Sequence, residues 1–352
     1  MKILVTGNMG YVGPLVLRRL RESNPQATLV GYDMGYFAHC LTGASRLPES
    51  RADQQHFGDI RQVPEQILQG VDAIVHLCAI SNDPMGATFE KVTLDINHRA
   101  SIDLARKAKR AGVKKFVFAS SCSVYGFAEG GPRREEDALN PLTAYAKSKV
   151  QTEQDLESLA SESFTATCLR FATACGMSDR LRLDLVLNDF VAGALASKRI
   201  SILSDGTPWR PLIHVKDMAR AIDWAVQRDS RDGGSFLTVN AGSDAWNYQV
   251  KDLAAAVANL VPNVEVLINK DAQPDKRSYR VNFDKFSKLA QGFLPMVDLQ
   301  SAVKDLHDGL RAMQFGDQEF RTGELIRLVT LKRLRESGQL TDNLVWKERS
   351  NA

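Results

Sequence analysis

Tyr145 and Lys149 stand four residues apart in the run Leu142-Thr143-Ala144-Tyr145-Ala146-Lys147-Ser148-Lys149, which reads as the start of a helix. Residues at that spacing share one helical face. A phenol of ordinary pKa, about 10, is a poor base at neutral pH. An ammonium on the same face stabilises the phenolate and brings its pKa toward the working range. Ser121 ends the preceding apolar strand, Lys115-Phe116-Val117-Phe118-Ala119, and can hydrogen-bond the same substrate hydroxyl. Together the three groups suit removal of a proton from an alcohol oxygen while its carbon gives up hydride. Tyr-x-x-x-Lys alone is common by chance and is usually a helix surface pair, so the elements around it must carry the argument.

Those elements begin at the N-terminus. Lys2-Ile3-Leu4-Val5-Thr6 is a short apolar, β-branched run of the kind buried in a parallel sheet. Gly7, Gly10 and Gly13 follow at spacing three, ahead of the helical pattern Tyr11 to Leu20. Such a triplet by itself marks only a tight turn. In the order strand, glycine turn, helix, it forms the first half of a dinucleotide-binding unit, with free N–H groups and a positive dipole end facing a pyrophosphate. Leu29 to Asp33 supplies the second strand, and a carboxylate at its end accepts both ribose hydroxyls and repels a 2′-phosphate, favouring NAD over NADP. Asp59, after a third strand at Gln55-His56-Phe57-Gly58, is placed to accept from the adenine amino group, to cap the helical stretch Arg61 to Leu68, or to do both. The fourth strand, Asp72 to Ala79, directs its end, Leu77 to Ser81, over the cofactor. His76 within it reads as a satisfied core histidine. Asn82 and Asp83 either touch substrate or serve the turn into a long helix running to Gly112.

Alternating strands and helices, with a sixth strand at Thr165 to Phe171, predict an α/β fold: a Rossmann-like, doubly wound parallel sheet. Beyond residue 175 the rhythm changes, and a smaller interleaved C-terminal substrate-binding lobe is expected. The boundaries that follow are 1–175 for the dinucleotide-binding domain, with later strands returning from 210 to 240. The lobe then takes 176–310, and 311–352 forms a helical tail without an assigned role. The basic stretch Glu319 to Glu336 reads as a surface helix packed on the body. Apolar residues make up 44% of the chain and charged residues 25%, which is ordinary for a globular protein. A net charge of +3 is too small to argue for nucleic acid or an anionic membrane. No apolar run reaches the roughly 18 residues that span a bilayer, and the N-terminal apolar run stops at Gly7, too short for a signal peptide. Cys40, Cys78, Cys122, Cys168 and Cys175 are scattered and lack metal-ligand spacing, so no metal site is expected, and reduced thiols in a cytoplasmic protein are.

The chain here resembles the extended short-chain dehydrogenases/reductases, specifically the NAD-dependent sugar-nucleotide epimerases and dehydratases. The matching pieces are Thr6 to Gly13, Asp33, Asp59-Ile60, His76 to Ala79, Asn97, Ser120 to Gly126, Tyr145 to Lys149, Leu169 to Gly176 and Arg210 to Val215, in family order over the first 285 residues. The resemblance implies NAD contacts at Gly7, Met9, Gly10, Tyr11, Val12, Gly13, Asp33, Met34, Asp59, Ile60, Leu77, Cys78, Ala79, Asn97 and Ala172, as well as at Tyr145 and Lys149. It implies a catalytic triad of Ser121, Tyr145 and Lys149. Substrate contacts are implied at Ser81, Asn82, Ser121, Ser123, Tyr145, Thr173, Arg182, Asn188, Arg210 and Arg277, with Asp184 nearby. Arg210 and Arg277 match positions that pair with the nucleotide diphosphate, although each also reads as a solvated surface arginine.

Two departures sharpen this reading. The family's 4,6-dehydratases carry an Asp-Glu pair directly after the catalytic Ser or Thr; this chain has Cys122 and Ser123, which disfavours dehydration. Thr173 stands where the family often has Asn. The expected activity is therefore NAD-dependent epimerisation of a nucleoside-diphosphate sugar through transient C4 oxidation. A sugar-nucleotide dehydrogenase or 4-ketoreductase is the enzymatic rival, and a non-catalytic NAD-binding sensor the rival of another class. The resemblance also implies a homodimer, paired through helices at 90–111 and 145–160.

Overall fold

A computed structural model describes residues 1–127, 130–269, 272 and 278–347. Seven strands, β1 (Lys2–Thr6), β2 (Thr28–Asp33), β3 (Gln54–Phe57), β4 (Ala73–His76), β5 (Lys115–Ser121), β6 (Thr165–Phe171) and β10 (Phe236–Ala241), form one sheet in the order β10-β6-β5-β4-β1-β2-β3. Every neighbouring pair in it is parallel. The chain winds outward from β1 to β3, then returns to β4 on the other side of β1. That reversal opens a crevice at the carboxyl ends of β1 and β4.

Alternation along each strand feeds two cores. Ile3 and Val5 point into one with helices α1 (Gly13–Ser23) and α7 (Val215–Gln227), while Leu4 points into the other. The second face is covered by α2 (Asp83–Thr88), α3 (Glu90–Leu94), α4 (Ser101–Arg110) and α5 (Ala144–Leu159). This is the doubly wound, Rossmann-like arrangement expected from the sequence. His76 is buried within it, one ring nitrogen 2.6 Å from Thr6 Oγ1 and the other 2.7 Å from Ser101 Oγ, and burial holds its pKa down at about 3.

The long helix expected from residue 84 to Gly112 is instead four segments. α2 ends at Thr88, α3 follows, and Asp95–Ala100 is a π-helical stretch before α4. The helix expected over Arg61 to Leu68 is two short 3₁₀ turns, Ile60–Gln62 and Glu65–Leu68, parted by Pro64, whose missing N–H and ring clash with the preceding turn break a helix.

Beyond β6 the chain builds β7 (Thr173–Cys175), α6 (Val186–Ser197), β8 (Arg199–Ile202), β9 (Trp209–His214), β11 (Asn247–Gln249), α8 (Val250–Leu260) and β12 (Glu265–Ile268). These give a three-stranded sheet, β11-β9-β7, and a parallel pair, β12-β8, over the carboxyl ends of the main sheet's strands. Helices α9 (Asp284–Leu289), α10 (Leu299–Ala312) and α11 (Arg327–Glu336) complete the fold. Leu331, Leu334, Leu340 and Leu344 place the C-terminal segment in the second core.

α5 is positioned by polar groups. Its Glu153 accepts from Arg170 of β6 through Nη2 at 2.7 Å and Nε at 3.1 Å, and from the Ser120 hydroxyl; the Arg170 and Glu153 side chains are each 5% exposed. The outward faces of α4 and α5 carry Arg106, Lys109, Arg110, Lys147, Gln151, Gln154 and Glu157, and no large hydrophobic side chain is exposed on either among the described residues. Apolar burial therefore does not support the expected pairing of these helices with a second copy. No helix among the described residues is long and apolar enough to cross a membrane.

Removing one member of a buried ion pair leaves the other charge uncompensated. Glu153→Ala should destabilise the protein by about 3–5 kcal/mol, read by urea unfolding. The double variant with Arg170→Met should recover much of that loss.

Candidate active site

The main cavity, about 1200 Å³, lies over the carboxyl ends of the sheet between the main sheet and the later lobe. Its floor at β1 is backbone. Gly7 has φ of 75°, and a Cβ there would lie 2.5 Å from the backbone nitrogen of Cys78. A Cβ on Gly13 would lie 2.0 Å from the Asn8 carbonyl oxygen. Only glycine lets the turn press against β4 and start α1 so close to its own strand. Val12, the residue before α1, offers no side-chain cap, Pro14 has no N–H, and the Leu15 and Val16 N–H groups donate to the Val12 carbonyl at 3.2 Å, so what α1 brings to Gly10, Tyr11 and Val12 on the cavity wall is chiefly the positive end of its dipole.

Asp33 ends β2 on that wall, its carboxylate accepting from the Met9 N–H at 3.0 Å and the Gly35 N–H at 2.7 Å. Burial raises its pKa, and those two hydrogen bonds oppose the rise. Met34, Asp59, Ile60, Leu77, Cys78, Ala79 and Ala172 also line the cavity. Asp59 serves as the cap the sequence allowed, accepting from the Arg61 N–H at 2.9 Å and pairing with the Arg61 guanidinium.

Tyr145, Lys149 and Ser121 converge on the cavity. Burial pushes the Tyr145 phenol up to about 12, and its hydrogen bond with the Ser121 side chain works the other way. Lys149 is 3% exposed; it donates to the Ala119 carbonyl at 2.7 Å and lies 5.5 Å from the Tyr145 ring centroid. The lysine thus holds the strand end and stands over the Tyr145 ring, on the shared helix face that the spacing predicts. Burial lowers its own pKa to about 8.

Side chains build the opposite wall. Arg182 pairs with Asp184 at 2.7 Å and donates to the Ser81 hydroxyl at 2.9 Å. Asn82 donates to the same carboxylate at 2.7 Å while capping α2 through the Met85 N–H. Ser123, Thr173 and Arg210 line the cavity as well, and the buried Ser123 hydroxyl has no hydrogen-bond partner among the described residues.

Several of the expected contact residues lie off the cavity wall. Asn97 is fully buried off the cavity wall, where it fixes the Ile80 backbone at 2.8 and 3.0 Å and donates to Ser148. Asn188 is likewise buried: its amide accepts from the Gly176 N–H and donates to the Tyr11 hydroxyl and the Arg182 carbonyl. Both amides are engaged by protein groups, and neither lines the cavity. Met9 and Gly13 act from behind the wall, Met9 through its N–H on Asp33 and Gly13 by its lack of a side chain. The Tyr11 hydroxyl is spent on Gly176 at 2.6 Å, which leaves its backbone for the cavity. Arg277 lies outside the described residues. Groups that sequence reasoning missed include Tyr279, the residues Tyr36 and Phe37 after β2, and Arg321, Ile326, Arg327, Leu328 and Leu331 from the C-terminal segment. The 3-residue spacing of Leu328, Leu331 and Leu334 was the available signal for a buried face there.

A doubly wound sheet with a glycine cradle, a carboxylate at the end of β2 and a Ser–Tyr–Lys group over the crevice defines a dinucleotide-dependent oxidoreductase fold. Residues 3–242 match the model of the NAD dependent epimerase/dehydratase family, and the chain belongs to that family, as an enzyme of the extended short-chain dehydrogenase/reductase type. It is 30% identical over 261 residues to a UDP-glucose 4-epimerase of Azospirillum brasilense, covering 68% of this chain and 72% of that one. It is 28% identical to a dTDP-glucose 4,6-dehydratase of Streptomyces griseus, covering 86% and 91%. Among solved structures, a UDP-glucose-4-epimerase from Stenotrophomonas maltophila with bound NAD and formylated UDP-arabinopyranose superposes with a TM-score of 0.74 at 25% identity, covering 89% of this chain and 99% of that one.

The cofactor of the family is NAD, and the residues fit it. The cradle at Gly7 and Gly13 excludes any side chain, the uncapped start of α1 suits a diphosphate, and Asp33 disfavours a 2′-phosphate. The cavity exceeds the roughly 300–1,000 Å³ typical of a single small ligand, which leaves room for a second molecule beside the dinucleotide.

Lys149 has a measurable signature before any ligand binds. Its folded pKa of about 8 lies below its unfolded value of about 10.4, so between these the unfolded chain binds more protons. Stability of the ligand-free protein should therefore gain from this group as pH rises from about 8 to about 10.4, by at most about 1.4 kcal/mol per pH unit. Urea midpoints of the wild type and Lys149→Met across that window should converge as pH rises.

Proposed function

We propose that this enzyme epimerises a nucleoside-diphosphate sugar at C4. The observation that carries the reading is the hydrogen-bonded Ser121–Tyr145 pair beside Lys149 on the wall of a two-ligand cavity, with no carboxylate directly after Ser121. Bound NAD supplies a reversible hydride acceptor for the sugar carbon. Tyr145, as phenolate, takes the proton from the hydroxyl on that carbon and later gives it back. Ser121 holds the same oxygen and steadies the phenol. The Lys149 ammonium favours the phenolate against the burial that raises it. Arg210, on the cavity wall, would hold the sugar nucleotide's diphosphate. Arg182 orders the facing wall through Asp184 and Ser81.

Dehydration across C5 and C6 needs an acid and a base directly after the catalytic serine. Cys122 cannot supply them. Its thiol is buried 3.1 Å from the Arg170 carbonyl, to which it donates, and burial raises its pKa. Ser123 brings a neutral hydroxyl. This supports epimerisation over the dehydratase chemistry named for the Streptomyces relative.

Incubation with UDP-, GDP-, CDP- and dTDP-sugars, followed by proton NMR, should show C4-inverted product with no net NADH. Tyr145→Phe should lower kcat by about 10²–10⁴. Stoichiometric NADH would instead establish a dehydrogenase, and loss of the C6 hydroxyl a dehydratase.

A further inference from the structure

Three arginines crowd the side of the cavity nearest the C-terminal segment, and their circumstances differ. Arg180 is fully buried and forks onto Glu49 at 2.9 Å, and Arg182 forks onto Asp184. Arg327, 2% exposed and lining the cavity, has no ion-pair partner among the described residues. Its Nη2 donates to the carbonyls of Arg180 at 2.7 Å and Leu181 at 3.1 Å, and its Cζ lies 4.6 Å from the Phe37 ring centroid. The Cys40 thiol lies alongside, and Asp184 acts on it only from beyond its own pairings with Arg182 and Asn82. Nη1 is buried with no hydrogen-bond partner among the described residues. A guanidinium cannot shed its charge at neutral pH, so a buried one without a counter-ion is costly unless an anion completes it.

Arg327 is also the first residue of α11, a ten-residue helix. Ile326 before it provides no side-chain cap, and no acidic residue occupies the first turn. Ile326, Arg327 and Leu328 all line the cavity, so uncapped N–H groups at the positive end of a helix dipole stand beside the unpaired guanidinium.

We propose that Arg327 and the N-terminus of α11 form a diphosphate-binding site, and that the diphosphate it takes is the cofactor's. Position favours that source. The segment carrying Arg327 lies along the loop after β2 and the Asp59 turn: Trp346 Nε1 donates to the Met34 carbonyl at 2.7 Å, Tyr36 donates to the Leu344 carbonyl, and Arg61 donates to the Asn343 carbonyl at 2.9 Å. Met34 and Asp59 belong to the wall that follows Asp33, whereas Arg210 stands with the later lobe. The family match ends at residue 242, well before this segment. The C-terminal segment thus grips the dinucleotide from the side opposite the glycine turn.

The proposal rests on NAD binding and not on which sugar is turned over, so it survives if epimerisation fails. Calorimetry on the full chain, freed of nucleotide, would compare NAD, ADP, adenosine and UDP with the wild type, Arg327→Met and Arg327→Lys. Arg327→Met should weaken NAD and ADP at least tenfold, leave adenosine and UDP within twofold, and not lower the melting temperature of the ligand-free protein. Arg327→Lys should restore part of the affinity. Unchanged NAD and ADP affinity would overturn the site. Loss for UDP in place of NAD would overturn the cofactor assignment and give the site to the sugar nucleotide. Equal losses for adenosine and ADP would show a packing role, and overturn it too. Should Arg327→Met fail to fold, the Arg327→Lys series alone decides between these outcomes.

Discussion

The geometry of the candidate site depends on how α5 is held to the sheet. The residues it buries are Ala144, Ala146, Ser148, Lys149, Thr152, Glu153 and Leu156, mostly small or polar. A helix seated by large apolar side chains can rotate and slide with little change in buried area, because hydrophobic burial has no direction. One seated by hydrogen bonds cannot. Glu153 locks onto Arg170 and Ser120, Lys149 onto the Ala119 carbonyl, and Thr152 onto the Asn97 carbonyl at 3.0 Å. These bonds fix the rotation of α5 about its axis and so aim Tyr145 at the cavity. The cost of burying Lys149 shows in its depressed pKa, and Glu153 offsets part of it.

The two walls of the cavity are made of different materials. The β1 side is backbone: a glycine turn, an uncapped helix start and a carboxylate held by two N–H groups. Such a surface is rigid and suits a group that is the same in every turnover. The facing wall is a side-chain network of Arg182, Asp184, Ser81 and Asn82, tied across residues about a hundred positions apart in the chain. Side chains can differ between relatives without disturbing the sheet. This division matches a family in which the cofactor is shared while the named substrates and reactions differ, 4-epimerase in one relative and 4,6-dehydratase in another.

Much of this was legible in the chain. The runs at Lys2–Thr6, Ala73–His76 and Thr165–Phe171 are apolar because helices cover both faces of the sheet, and that pattern reads directly as parallel strands. Gly7, Asp33, Ser121, Tyr145 and Lys149 were legible because each depends on an element end that the pattern locates. Asn97 and Asn188 were not. An amide has the same donors and acceptors whether it faces a ligand or backbone, and only the fold reveals that Ile80 and Gly176 claim them. The break at Thr88 and the π-helical stretch after it were hidden for a related reason: local propensity is continuous there, and the interruption is set by packing of α3 against α5.

The C-terminal segment was least legible because its charge masks its burial. Arg327, Lys332, Arg333 and Arg335 suggest a solvated helix, yet Leu331 is fully buried and Arg327 nearly so. The segment's own contacts, from Arg321 on Asp189 to Trp346 on Met34, span the cavity mouth. Any ligand that binds Arg327 favourably must therefore stabilise the docked segment, and the docked segment must in turn raise that ligand's affinity by the same factor, since coupling between two equilibria acts equally in both directions. An enzyme that reduces and reoxidises its cofactor within one turnover gains from such coupling, because a dinucleotide lost midway leaves an oxidised sugar behind. On the proposed reading, the buried guanidinium without a carboxylate partner is the cost of a site that an anion completes.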